Sequence, residues 1–168
     1  MSVLKIRIGL DPGAKGGICI DIDNARSIFI MPQTSKKVLD THGLMEIIGN
    51  LPECDDVHAV IEDVHSISGA SASSNFNFGF NCGFLEGVLS TLQIPYTKVS
   101  PKTWQKEMWM GVPNIEDSKG KKDTKGMSLI AAKRLFPKEI FLASQRCKVP
   151  HDGMVDAALI CEYCKRKF

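Results

Sequence analysis

The sequence predicts an α/β fold with a five-stranded mixed sheet, in which the first three strands are antiparallel and helices flank the sheet. Apolar and polar residues alternate over residues 4–11, the period-two pattern of a strand, and two further strand patterns follow at once. Two later strand patterns each come after a helical pattern, as parallel strands joined by helical crossovers do. A long helical pattern ends the sequence.

Length and composition fit one globular domain over residues 1–168. The sequence is 43% hydrophobic and 24% charged, and domains commonly contain about 100 to 150 residues. No apolar run approaches the ~20 residues that a transmembrane helix needs. Residues 1–5 lead directly into a strand pattern without the features of a targeting leader. The sequence therefore predicts a soluble cytoplasmic protein.

The first three strands are predicted to form an antiparallel meander. The first ends at Asp11, directly before a Pro-Gly turn. Alternating isoleucines predict the second strand over residues 18–22, and residues 27–31 form the third. Asp23 and Asn24 between them suit a hairpin-like connection.

The fourth strand is predicted to lie parallel to the first. Thr41 can cap a helix that runs to about Asn50, and Pro52 stops it. The strand over residues 57–61 then ends in Glu62 and Asp63. Because a crossover returns the chain to the same end of the sheet, we expect these acids to lie beside Asp11.

A helix over residues 75–92 carries two repeating patterns. Phe76, Phe80, Phe84 and Val88 recur every four residues, and so do Gly79, Gly83 and Gly87. The aromatic pattern predicts packing against the sheet. The glycine strip would let another helix approach closely, so a dimer contact is the second interpretation. The preceding residues 65–74 are small and polar, which is typical of a partner-binding loop.

The remaining elements follow from proline and glycine signals. We expect a fifth strand over residues 95–99, a short helix over 101–110, a loop over 111–126 and a helix over 127–135. His151 or Asp152 begins a final helix that runs to about Lys165.

Neither the net charge nor the cysteines define a function by themselves. The net charge is +2, but residues 98–133 contain a local excess of lysine, which is either a solvated face or a polyanion-binding surface. Six irregularly spaced cysteines predict reduced thiols. Cys161 and Cys164 form a CxxC pattern without a second such pair, which favours packing over a zinc site.

Three elements end or begin in carboxylates that can converge at one sheet edge. Asp152 and Asp156 are four residues apart and share one face of the last helix, where they can join Asp11 and either Glu62 or Asp63. Adjacent strand residues point to opposite faces, and spacing alone does not choose between those two. Asp152 can instead be a helix N-cap, Asp11 a turn residue and Glu62 an ordinary charge at the strand end. An all-oxygen set suits Mg²⁺ or Mn²⁺.

These segments resemble a known family. Gly9–Gly13 (GLDPG), Ile61–Val64 (IEDV) and the closing Asp152-x-x-x-Asp156-Ala157 resemble the RuvC-like Holliday junction resolvases of the ribonuclease H-like superfamily. The order and spacing agree along nearly the whole chain. The resemblance is closest to the phage-type and chloroplast-type branch, in which the last two acids are four residues apart rather than three.

The resemblance implies a ribonuclease H-like nuclease domain that resolves four-way (Holliday) DNA junctions. Asp11, Glu62, Asp152 and Asp156 would be the catalytic acids that bind two Mg²⁺ ions, with Mn²⁺ able to substitute. A homodimer would nick two symmetric strands, in recombination, repair or phage DNA processing, inside a bacterial cell or a phage-infected host. The positions of the family's DNA-contacting residues fall on His65, Lys102 and Lys125.

Three alternatives remain at this level. Another ribonuclease H-like nuclease could cut RNA-DNA hybrids or other branched DNA. A non-catalytic domain could bind junctions without cutting them, although four intact acids argue against it. A nucleotide-binding protein is disfavoured because the glycine-rich segment after the first strand lacks the Walker A pattern.

Overall fold

A computed structural model describes residues 4–36, 38–64, 69 and 71–168. These residues form five strands and five helices in an order that alternates after the third strand. The elements are β1 (Lys5–Asp11), β2 (Gly17–Ile22), β3 (Ala25–Ile30), α1 (Thr41–Ile48), β4 (Asp56–Glu62), α2 (Ala72–Thr91), β5 (Tyr96–Val99), α3 (Pro101–Met108), α4 (Thr124–Leu135) and α5 (Asp152–Lys167).

The strands form one mixed sheet in the order β3-β2-β1-β4-β5. β1, β2 and β3 pair antiparallel, whereas β4 pairs parallel to both β1 and β5. The predicted five-stranded mixed sheet with an antiparallel start is therefore confirmed. Asp23 and Asn24 form the turn between β2 and β3 with φ values of 48° and 75°, which short polar residues tolerate better than most others.

The alternation along β1 divides the core between the two faces of the sheet. Ile6, Ile8 and Leu10 are fully buried and belong to a core shared with α1 and α2. The opposite face packs against α5, behind which lie α3 and α4, around residues such as Val60 and Trp104. Side chains on one strand therefore reach two separate environments, according to their parity.

The backbone of α5 lies directly on β1 and β2 because glycines occupy the points of contact. A Cβ atom built on Gly9 would overlap the backbone of Ala157 and Cys161, and one built on Gly17 would overlap Gly153. A Cβ on Gly153 would in turn overlap the carbonyl oxygen of Lys15. Any larger residue at these positions would force the helix away from the sheet.

Two helix starts differ from the sequence prediction. Asp40, not Thr41, caps α1, because its side chain accepts a hydrogen bond from the backbone N–H of Gly43. α4 begins at Thr124 rather than near Met127, and Asp123 caps it through the N–H of Gly126. The predicted loop is shorter as a result, and Lys125 lies in the first turn of a helix.

The aromatic pattern of α2 does not mark its buried face. Phe76 and Phe80 are 73% and 49% exposed, so their predicted packing against the sheet is wrong. The buried positions are instead Phe78, Asn81, Leu85, Val88 and Leu89, which recur at the three- and four-residue spacing of one helical face. Cβ atoms built on Gly79, Gly83 and Gly87 meet nothing within 4 Å, so the glycine strip faces open space.

The CxxC cysteines are packed inside the fold. Cys161 and Cys164 are fully buried, and their thiols donate hydrogen bonds to the carbonyl oxygens of Arg7 (3.2 Å) and His58 (3.3 Å). In the part of the chain that the structure describes, no helix is both long and apolar enough to span a membrane.

Gly153→Ala is expected to lower the free energy of unfolding by about 1 to 3 kcal/mol or more, because the added methyl group overpacks the contact between α5 and the β1–β2 turn. Alanine favours a helix over glycine by ~1 kcal/mol, so destabilisation would isolate the steric effect. Gly87→Ala, also in a helix but facing open space, is the matched control. Urea unfolding measures both, and equal stability of the two variants would contradict the close approach.

Candidate active site

The parity of β1 and β4 directs Asp11 and Glu62 to the face that α5 covers. Gly9 contacts α5, and Asp11 is two residues further along the same strand. Val60 belongs to the core on the α5 side, and Glu62 follows it with the same parity. The indole N–H of Trp104, a residue of that core, donates a hydrogen bond to Glu62 Oε1 at 3.0 Å.

Asp63 lies on the other face of the sheet. Its carboxylate Oδ1 is 3.5 Å from Lys98 Nζ, and the same ammonium group is 2.9 Å from Glu86 Oε1 on α2. Since α2 packs on the face opposite α5, the two adjacent acids have different surroundings. Glu62, not Asp63, shares an environment with Asp11, which resolves a choice that the spacing left open.

α5 brings Asp152 and Asp156 to the same sheet edge. Asp152 is the first residue of the helix, and His151 is the N-cap, with its Nδ1 accepting from the N–H of Met154 at 3.4 Å. The N-cap interpretation of Asp152 is therefore wrong. The Asp152 side chain is 49% exposed and pairs with Lys125, whose Nζ lies 2.5 Å from Asp152 Oδ2.

Burial and mutual repulsion raise the pKa values of three of these acids. Burial raises the pKa of Asp11 to about 6, although the N–H of Gly13 bonds to its carboxylate and opposes the shift. Burial and the charges of Asp11 and Asp156 raise the pKa of Glu62 to about 8. Burial and the charges of Asp11 and Asp152 raise that of Asp156 to about 7. These carboxylates are thus close enough to repel one another.

Neighbouring residues that were not predicted support the acids. Trp104 of α3 bonds to Glu62 and Ser128 of α4 bonds to Asp156, and each bond opposes the rise in the acid's pKa. Lys125 lies one turn before Ser128 and pairs with Asp152, as the two acids lie one turn apart on α5. α4 therefore presents two polar side chains to the two acids of α5.

The chemistry of the donors fits a hard divalent cation. Asp156 Oδ1 is buried and has no hydrogen-bond partner among the residues that the structure describes, and a buried carboxylate oxygen without a partner is costly. The other donors are carboxylate oxygens too, as Mg²⁺ and Mn²⁺ prefer. Within the described ranges, no group of three or more His, Cys, Asp or Glu side chains is already arranged to hold a metal. The carboxylates would have to close around an ion.

The predicted DNA-contacting residues have different outcomes. His65 lies outside the described residues. Lys102 is exposed in the first turn of α3, the helix that carries Trp104. Lys125 is exposed beside Asp152, so of the two lysines it is the one in direct contact with a candidate acid. Their roles in binding DNA stay predictions.

The raised pKa values predict that the metal-free protein loses stability as pH rises. A carboxyl group with a raised folded-state pKa contributes stability below its unfolded pKa, near 4, and loses it as pH rises through the folded values of about 6 to 8. The free energy of unfolding should therefore fall by a few kcal/mol over this window, at ~1.4 kcal/mol per pKa unit.

Urea unfolding in the presence of a chelator, at a series of pH values, measures this loss. Asp156→Asn, which cannot ionise, should show a shallower fall than the unmodified protein, and Mn²⁺ should restore stability at high pH by binding the folded state. A stability that is flat or rises over the window, with no response to Mn²⁺, would contradict the clustering of the acids.

Comparisons with known proteins bear on the fold. No protein-family model matches the sequence, and no curated protein is similar to it in sequence. The structure is similar to that of Thermus thermophilus RuvC in complex with a Holliday junction substrate, with a TM-score of 0.56 and 12% identity over 93% of this chain and 90% of that one. A second Thermus thermophilus RuvC structure matches with a TM-score of 0.56 and 13% identity over 96% and 95% of the two chains. The chain therefore has a RuvC-like fold of the ribonuclease H-like type.

Proposed function

We propose that this chain is a metal-dependent endonuclease that resolves four-way DNA junctions by paired symmetric nicks. The observation that carries the proposal is the convergence of Asp11, Glu62 and Asp156 on the α5 face of a RuvC-like fold, with pKa values raised by shared burial and repulsion. The solved relative that contains a Holliday junction substrate supports the choice of nucleic acid. Residues 1–168 would act as one nuclease domain.

The acids would hold two Mg²⁺ ions, for which Mn²⁺ can substitute. Such a pair supplies an activated water and stabilises the leaving oxygen of a phosphodiester. Asp11 offers a carboxylate from the end of β1, already oriented by the N–H of Gly13. Glu62 offers one from the end of β4 and Asp156 one from α5. Asp152, at the exposed rim, would complete the set.

Basic residues at the rim would bind the phosphates of the junction. Lys125 is 71% exposed and already neutralises Asp152, so it can turn towards a phosphate that approaches the acids. Lys102 is exposed on the neighbouring helix α3. His65 would contact the junction from the loop that precedes α2. Contacts of this kind supply affinity that does not depend on sequence and that falls as salt rises.

Paired nicks require two active sites, which a homodimer supplies. The outer face of α2 has exposed Phe76 and Phe80 beside the open glycine strip, and an apolar helix face of this kind suits a second copy of the chain. The buried side chain of Asn81 on the same helix donates a hydrogen bond to the carbonyl oxygen of Pro12. A dimer formed through α2 would therefore bring both Asp11 turns near the interface.

The function is tested by cleavage of a synthetic four-way junction, compared with linear duplex DNA and an RNA-DNA hybrid. We expect preferential cleavage of the junction with Mg²⁺ or Mn²⁺, none with a chelator, and nicks at symmetric positions in both strands. Preference for the hybrid, or binding without cleavage, would contradict the proposal. The protein would act in recombination, repair or phage DNA processing in the cytoplasm of a bacterial cell or a phage-infected host.

Glu62→Gln is expected to reduce cleavage by more than ~100-fold while junction binding is retained, because the change removes ligand charge but little contact area. Residues that only support a metal ligand already contribute about 10- to 100-fold. Asp63→Asn is the matched control, since its carboxylate lies on the α2 face, and it should cleave at close to the unmodified rate. Single-turnover cleavage and gel-shift assays measure the two properties. An inactive Asp63→Asn beside an active Glu62→Gln would reverse the assignment.

A further inference from the structure

Trp104 is a fully buried side chain with one polar contact, and that contact is a candidate metal ligand. Its relative exposure is 0%, and its Nε1–H donates to Glu62 Oε1 at 3.0 Å. Trp104 is the largest of the fully buried side chains among the described residues. A buried indole N–H usually has a hydrogen-bond partner, but here the partner is an acid whose other neighbours are acids.

The topology brings this indole to the end of β4. β4 and β5 are parallel, with Glu62 opposite Val99, so β5 ends at the same sheet edge as Glu62. Ser100 then caps α3, and Pro101 occupies its first turn. Trp104 follows on the buried side of that helix, within the core that α5 shares. The contact is thus fixed by the strand register and by a short connection.

We propose that Trp104 is a positioning residue that holds the carboxylate of Glu62 in the orientation needed to bind metal. This inference rests on the proposed function, in which Glu62 is a ligand. An indole has a single donor and no charge, so it engages Oε1 and leaves Oε2 available to the ion. It does not compete with a cation as a lysine would. Neighbours that orient a ligand in this way tune metal affinity in other sites.

The chain contains a matched control in Trp109. The two indole rings are in edge contact, with centroids 6.3 Å apart and an interplanar angle of 76°. Trp109 is also buried, at 9% exposure, but its Nε1 has no hydrogen-bond partner among the described residues. Replacing either tryptophan by phenylalanine removes an indole N–H from the same core, and only one of these changes removes a bond to an acid.

The test compares Trp104→Phe with Trp109→Phe in the full chain. Mn²⁺ binding is measured by calorimetry, junction binding by gel shift in Ca²⁺, and cleavage under single turnover. We expect Trp104→Phe to bind Mn²⁺ about 10-fold more weakly and to cleave about 10- to 100-fold more slowly, with junction affinity unchanged. Trp109→Phe should match the unmodified protein in all three. Equal Mn²⁺ affinity of the two variants would overturn the positioning role.

A second measurement does not depend on how the tryptophan variants fold. In ¹⁵N spectra of the metal-free protein, Glu62→Gln should move the indole N–H resonance of Trp104 and leave that of Trp109 in place. An unmoved Trp104 resonance would overturn the inference. If the unmodified protein binds Mn²⁺ and fails to cleave junctions, the proposed function fails, and the Mn²⁺ affinities of the two variants still decide the role of Trp104.

Discussion

The direct packing of the α5 backbone on β1 and β2 is the constraint on which the candidate site depends. Gly9, Gly17 and Gly153 leave no side chain between helix and sheet, so the first turns of α5 lie at the end of β1. A helix separated from the sheet by ordinary side chains would stand several ångströms further away, since helix axes usually pack about 8 to 10 Å from their neighbours. Asp156 would then be too distant to interact with Asp11.

This packing has an electrostatic cost that the surrounding structure reduces without removing it. Burial and repulsion raise the pKa values of Asp11, Glu62 and Asp156 towards or above neutrality. Trp104 and Ser128 each stabilise one ionised carboxylate, yet Asp156 Oδ1 still has no partner among the described residues. Acids held together in this state favour a cation, because opposite charge relieves repulsion that hydrogen bonds relieve only in part. Local instability and metal affinity thus have the same origin.

The backbone architecture and the site acids were largely predictable from sequence, whereas the supporting contacts were not. The period-two pattern predicted that Asp11 would end β1, and a helix crossover predicted a parallel β4 beside it. The choice between Glu62 and Asp63 needed the register and the packed faces. Trp104 contacts Glu62 across 42 residues of sequence, and no local pattern announces such a contact. The aromatic repeat of α2 misled because exposed phenylalanines have the same spacing as buried ones.

The central claim is that Asp11, Glu62 and Asp156 form one metal site on the α5 face of the sheet. Anomalous diffraction from crystals of the protein grown with Mn²⁺ tests it most directly, because Mn²⁺ is located independently of the protein atoms. The account predicts Mn²⁺ bound by oxygens of all three carboxylates, with Glu62 Oε1 still bonded to Trp104. Mn²⁺ bound at Asp63, or bound elsewhere with these three carboxylates unliganded, would contradict it.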